Sequence, residues 1–171
     1  MQRWLSLKTS LVLIAFLGMS AITAAVWPGP ARSQQNDDPA GPQGITFTRG
    51  MQNHFIRDNN NGGKILIVTG MVRNSYDEPR AFIQLNGNLL SSDGAFLTGQ
   101  MVFAGNVLTE EELVTLPVQE LFGRLQVREG REGQNKNVQP GVEIPFMIVF
   151  NDLPDNMAEY RIDVVASSPV E

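Results

Sequence analysis

Apolar and polar positions divide the chain into three zones. Residues 9–27 (TSLVLIAFLGMSAITAAVW) run for 19 positions without a charge, and an α-helix of about 20 apolar residues spans the hydrocarbon core of a bilayer. Residues 28–44 (PGPARSQQNDDPAGPQG) hold no aliphatic side chain larger than alanine. Such a segment cannot bury enough apolar surface to order itself, and it reads as a flexible linker. From residue 45 onward, short apolar runs alternate with clusters of Gly, Asn, Asp, Ser and Pro, the rhythm of a β-rich domain.

Within that domain, residues 45–56 predict a first strand and residues 59–63 (NNNGG) a turn. Residues 64–74 (KILIVTGMVRN) place Ile65, Ile67, Thr69 and Met71 on one face and Leu66, Val68, Gly70 and Val72 on the other. Both faces are apolar, which predicts a central strand covered on both sides. Residues 81–90 alternate, with Ile83, Leu85 and Leu89 opposed to Gln84, Asn86 and Asn88, and predict a half-exposed strand. Ser91-Ser92-Asp93-Gly94 then offers a hairpin turn into a partner strand at 95–103. Residues 143–150 (EIPFMIVF) form another strand, which Pro145 places near an edge or at a strand start. Residues 160–165 (YRIDVV) form the last.

One helix start is legible. Thr109 and Glu112 make a capping box, Leu108 and Leu113 a hydrophobic staple, and Glu110 and Glu111 suit the positive end of a helix dipole. A short helix broken at Pro117 follows. Residues 130–139, polar and glycine-containing, read as a mobile loop. These elements predict an all-β fold, an immunoglobulin-like β-sandwich with one short helical insertion, preceded by a single N-terminal transmembrane helix. The expected division is a cytoplasmic stub at 1–8, a transmembrane helix or uncleaved signal anchor at 9–27, a linker at 28–44 and the domain at 45–171.

Arg3 and Lys8 precede the apolar segment, and Asp37 and Asp38 follow it with only Arg32 between. The positive-inside rule then leaves the N-terminus in the cytoplasm and the domain outside. Trp27 stands where an interfacial aromatic belongs, and Pro28 stops the helix. The rival is a signal peptide cleaved near Ala25, with Thr23 and Ala25 as the small residues. The length of the apolar run favours the anchor.

Three stretches, 65–75 (ILIVTGMVRNS), 82–94 (FIQLNGNLLSSDG) and 139–150 (QPGVEIPFMIVF), occur in an order that resembles an uncharacterised bacterial family, a domain of unknown function. In that family an apolar strand ending in G-x-V-x-N precedes a strand–turn ending in D-x-x-G, and a pG-x-x-x-x-F strand follows. Here these correspond to Gly70 through Asn74, to the turn ending at Gly94, and to Gly141 through Phe146. The family's domain usually follows a zinc ribbon and one membrane helix. The resemblance implies an extracytoplasmic domain of a single-pass inner-membrane protein, in the periplasm. The ribbon is absent here, with eight residues ahead of the apolar segment and no cysteine.

Composition narrows the chemistry. Without cysteine there are no disulfides, thiolate nucleophiles or cysteine metal sites. The chain carries a formal charge of −5. Arg3, Lys8 and Arg32 make the first 36 residues basic, so the remainder stands at −8, and a domain so acidic repels nucleic acid. His54 is the single histidine and cannot form a triad or a metal site unaided. The Glu110-Glu111-Glu112 run is explained by its capping position. Asn151, Asp152, Asp155 and Asn156 lack calcium-loop spacing and suit Asx turns around Pro154. Phe146, Met147 and Phe150 could form a binding patch, but packing into a core is the ordinary fate of such residues. No catalytic, cofactor or metal residue emerges, and no nucleotide or hydrolase motif occurs. The expectation is a non-enzymatic protein-binding or scaffolding module, held to the bilayer through residues 9–27 and partnered by an envelope protein. The alternatives are a small-ligand or ion-sensing domain and a carboxylate-dependent hydrolase.

Overall fold

The doubly apolar run at 64–74 is the hub of one of two sheets in the structure, a computed structural model that describes residues 32–33, 44–48, 50–59 and 63–170. The elements in chain order are β1 (Arg32–Ser33), β2 (Ile45–Phe47), β3 (Gln52–Asn59), β4 (Gly63–Asn74), β5 (Arg80–Ser91), β6 (Phe96–Phe103), α1 (Glu110–Thr115), α2 (Val118–Leu125), a 3-10 turn at Arg131–Gly133, β7 (Glu143–Phe150) and β8 (Met157–Pro169). The cytoplasmic stub, the membrane segment 9–27 and its cleavage site lie outside the described residues. So does the rest of the linker apart from Arg32, Ser33 and Gly44. No helix among the described residues is long and apolar enough to cross a membrane.

Sheet A has the order β1-β8-β5-β6. In sheet B, β4 pairs with β7 along one side and with both β2 and β3 along the other. All pairs are antiparallel except that of β1 with β8, where Arg32 and Ser33 lie beside Glu159 and Tyr160. Two residues of the expected spacer thus belong to a sheet edge.

The single strand expected at 45–56 is two. Phe47 pairs with Val72 and Gln52 with Thr69, so the interval 48–51 faces only Gly70 and Met71. At the other end, β8 is longer than the YRIDVV core because its pairing with β5 runs from Ser91–Met157 to Arg80–Pro169.

The sheets pack face to face, as a sandwich requires. A side chain at Gly87 of sheet A would lie 2.9 Å from Ile148 and Phe150 of sheet B. The row Leu66, Val68, Gly70 and Val72, with Ile144, Phe146, Ile148 and Phe150 opposite, therefore faces sheet A. The other face of sheet B is also buried. Ile65, Ile67, Met147 and Val149 share a core with Leu113 of α1 and with Leu121 and Leu125 of α2. Burying each such aliphatic side chain contributes about 1.5–3 kcal/mol, which is why β4 tolerates no polar residue between Ile65 and Val68.

The insertion between β6 and β7 is more ordered than its sequence suggests. The capping box forms, with Thr109 N–H donating to Glu112 Oε2 at 2.8 Å and Glu112 N–H to Thr109 Oγ1 at 3.2 Å. The helix from Thr109 is broken at Pro117 as expected, α1 ending at Thr115, and Pro117 also caps a second helix, α2, because proline's fixed φ suits a helix start as well as a stop.

The expected mobile loop at 130–139 is a correction. Asn135 is fully buried, and its side chain bonds the backbone of β5 as a strand would, with Ile83 N–H donating to Oδ1 at 2.9 Å and Nδ2 donating to Ile83 O at 3.1 Å. Val138 and Arg80 exchange backbone bonds of 2.7 and 3.0 Å. The polar composition serves internal hydrogen bonding here, not solvent exposure.

Candidate functional site

Every sheet has edges, and their chemistry shows which are closed to further pairing. Natural proteins protect an edge with charge, proline, a bulge or shortness. β2 has three residues. The sequence of β3 includes Arg57 and Asp58, that of β7 includes Glu143 and Pro145, and that of β8 includes Glu159, Arg161 and Asp163, with β1 alongside. β6, the far edge of sheet A, reads FLTGQMVF and has neither a charge nor a proline.

Its geometry leaves it open. Ala104 N–H donates to Ile83 O at 3.0 Å, so the alternate residues Gln100 and Val102 also bond toward β5. The backbone groups of Gly99 and Met101 then point away from the sheet. At the end of the strand, Asn106 Nδ2 donates to Phe103 O at 3.1 Å. Phe96 is 65% exposed and Met101 50%. A side chain at Gly99 would approach Phe96 Cε2 at 3.4 Å and Asn88 Oδ1 at 2.9 Å, so the missing Cβ lets the Asn88 amide and the Phe96 ring close on the Gly99 backbone.

The solvent face next to this edge is a row of amides. Gln84 Nε2 donates to Met101 Sδ at 3.0 Å and Asn86 Nδ2 to Asn88 Oδ1 at 3.1 Å. Further across the sheet, burial raises the Asp163 carboxyl above its ordinary range, with Arg161 opposing the shift.

A concavity of about 290 Å³ lies at the helical insertion, lined in part by Val107, Leu108, Val127, Glu112, Arg124 and Arg131. Glu112 is the knot of this wall. It accepts from Thr109 N–H, from Arg124 Nη1 and from Arg131 Nη1 at 3.2 Å. The Thr109 N–H is the main cause that holds its carboxyl below the usual range, aided by Arg131 and opposed by desolvation. A general acid needs the reverse shift. A carboxylate with a depressed pKa adds stability above the unfolded-state value of 4.5, and that stability is lost as pH falls through the folded value. Glu112→Gln is therefore expected to lower the unfolding midpoint at pH 7 and to matter progressively less as pH falls below 4.5. A loss that does not shrink in acid would show that the charge is not the source.

The residues weighed from sequence fall out as follows. His54 is exposed on β3, opposite Ile67. Glu110 and Glu111 occupy the first turn of α1. In the β7–β8 loop, Asn151 Nδ2 donates to Asp152 Oδ2 at 2.7 Å, and Met157 N–H closes a turn on Pro154 O at 3.0 Å, in place of the expected Asx turns. Phe146, Met147 and Phe150 are core, at 0%, 4% and 1% exposure. Among the described residues, no three His, Asp or Glu side chains converge as a metal site. The sequence reading missed the β6 edge. A signal was present, since no charged residue occurs from Gly94 to Thr109, but a run of uncharged residues does not say which strand lies outermost.

The motif residues behind the family resemblance meet one another in space. Gly70 pairs with Phe146, and a Cβ at Gly70 would lie 2.7 Å from the Phe146 ring. Gly141 N–H donates to Asn74 O at 2.7 Å, while the buried Asn74 amide donates to Val138 O at 2.8 Å and Glu78 O at 2.9 Å. The G-x-V-x-N and pG-x-x-x-x-F stretches are thus two halves of one packing and hydrogen-bonding unit. A family model described as a protein of unknown function, DUF3426, matches residues 48–164. No curated protein and no solved structure matches the chain.

Proposed function

Because this chain belongs to the DUF3426 family of proteins of unknown function, its role has to come from the site itself, and we propose that it is a membrane-anchored, extracytoplasmic protein-binding or scaffolding module of the bacterial envelope, without catalysis. The observation that carries the reading is the β6 edge, uncharged and bearing exposed Phe96 and Met101. An extended segment of an envelope protein would add to it by β-augmentation, with main-chain bonds giving affinity and the two side chains anchoring. The uncharged residues 9–27 behind Arg3 and Lys8 support an inner-membrane anchor with the domain in the periplasm. Two sheets packed face to face support the finer assignment to an immunoglobulin-like sandwich. The concavity lined by Val107, Leu108 and Val127 favours small-ligand sensing as the second reading.

Met101→Lys places a charge on the open edge at a half-exposed position, where substitutions change stability by about 0.5 kcal/mol or less. In cells, crosslinking and co-purification of the tagged full chain is expected to recover a polypeptide with the wild type and about tenfold less of it with Met101→Lys. Equal recovery by both would remove β6 as the docking edge. Recovery of the bait alone would sink the reading of a different envelope protein as the stable partner and leave self-association.

A further inference from the structure

We infer that the strand that occupies the β6 edge is β6 of a second copy of this chain, so that two sheets A join into one continuous sheet across a two-fold axis at Gln100. The inference rests on the reading of β6 as a docking edge and names its occupant. Three features of the edge point to self-pairing.

The first is register. A two-fold axis perpendicular to the sheet makes two identical strands antiparallel and requires residue i to face j as j faces i. Only residues whose backbone groups point outward can form the bonded pairs, and Gly99 and Met101 are such residues. Pairing Gly99 of each copy with Met101 of the other satisfies both requirements and sets Gln100 against Gln100 on the axis.

The second is shape. In this register the half-exposed Met101 lies over Gly99 and beside the exposed Phe96 ring of the other copy, and does so twice. Thioether–aromatic contact is favourable. A heterologous strand would have to supply this pair of features separately.

The third is charge. The chain beyond residue 36 stands at −8, so two copies repel over most of their surface. The eight residues of β6 carry no charge, which lets identical strands meet there without like charges directly opposed.

Because the chain has no cysteine, a single substitution gives an unambiguous test. In a non-bonded antiparallel pair the Cα atoms are about 4.5 Å apart, within the range a disulfide spans. Full-length Gln100→Cys chain is oxidised in native membranes beside Ser92→Cys, which lies in the exposed β5–β6 turn and reports random collision. A disulfide-linked dimer at least about fivefold above the Ser92→Cys level is expected, and it should disappear when Met101→Lys is added. Thermal melts of each variant establish that the fold is kept. No dimer above the collision level overturns the self-pairing. If the thiol of the Gln100→Cys chain instead joins a different polypeptide, identified by mass spectrometry, self-pairing is wrong and the binding module stands. If β6 captures neither, both fall.

Discussion

Replacing Phe146 by alanine is expected to destabilise the domain by about 3–5 kcal/mol, the range for emptying a fully buried aromatic site. For a domain of this size that is a fall in midpoint of roughly 10–20 °C. Phe146 is 0% exposed, lies edge-on to Phe47 at 5.8 Å between ring centroids, and fills the space left by the missing side chain of Gly70. The same contact predicts coupling. Gly70→Ala drives a methyl into the ring and is expected to cost about 1–3 kcal/mol in the wild type, but much less beside Phe146→Leu, where the ring is gone. Denaturant unfolding of the two single variants and the double variant checks this as a cycle. Additive losses would mean that Gly70 is required for its backbone alone. A Phe146→Ala protein of unchanged stability that loses its partner would make Phe146 a binding residue instead.

Asn135→Ala is expected to cost about as much, roughly 3–5 kcal/mol, although no large side chain is removed. The amide satisfies Ile83 N–H and Ile83 O in a buried environment, and also the part-buried Arg128 O at 3.2 Å. Deleting it leaves Ile83 N–H and Arg128 O without this partner, at about 1–3 kcal/mol each, while Ile83 O keeps its bond from Ala104 N–H. Asn135→Asp separates the contributions, because a carboxylate still accepts from Ile83 N–H but cannot donate to either carbonyl. Its loss should be nearly as large as that of alanine. Hydrogen exchange at Ile83 gives a local readout, with faster exchange expected in the alanine variant and protection retained in the aspartate one. A loss below about 1 kcal/mol in both would mean that water enters and replaces the amide.

These two residues differ in how legible they were. Phe146 stood in an apolar strand, where packing into a core is the ordinary fate of such a residue, so its burial was legible before any fold was known. Asn135 stood in a polar, glycine-containing stretch whose composition is that of a solvated loop. Composition reports what a segment can bury by hydrophobicity. It does not report a segment buried because its polar groups are all bonded. Pro117 divides the same way, since the stop of α1 before it was legible in the sequence, whereas the second helix it opens follows from the packing of Leu121 and Leu125 on the core.

Legible along the chain alone were the β character of the domain, the central place of the 64–74 strand, the Thr109–Glu112 cap and the strand boundaries at 143–150. Each rests on local periodicity or on side-chain–backbone bonds a few residues apart, so the information lies within the segment. The tertiary structure alone decided that 45–56 breaks into two strands on one edge of β4, that Asn135 completes β5, that Gly70 meets Phe146, and that β6 is outermost with Phe96 and Met101 uncovered. These depend on which strands become neighbours. Neighbourhood is settled by the summed burial and pairing of residues far apart in the chain, which no single window contains.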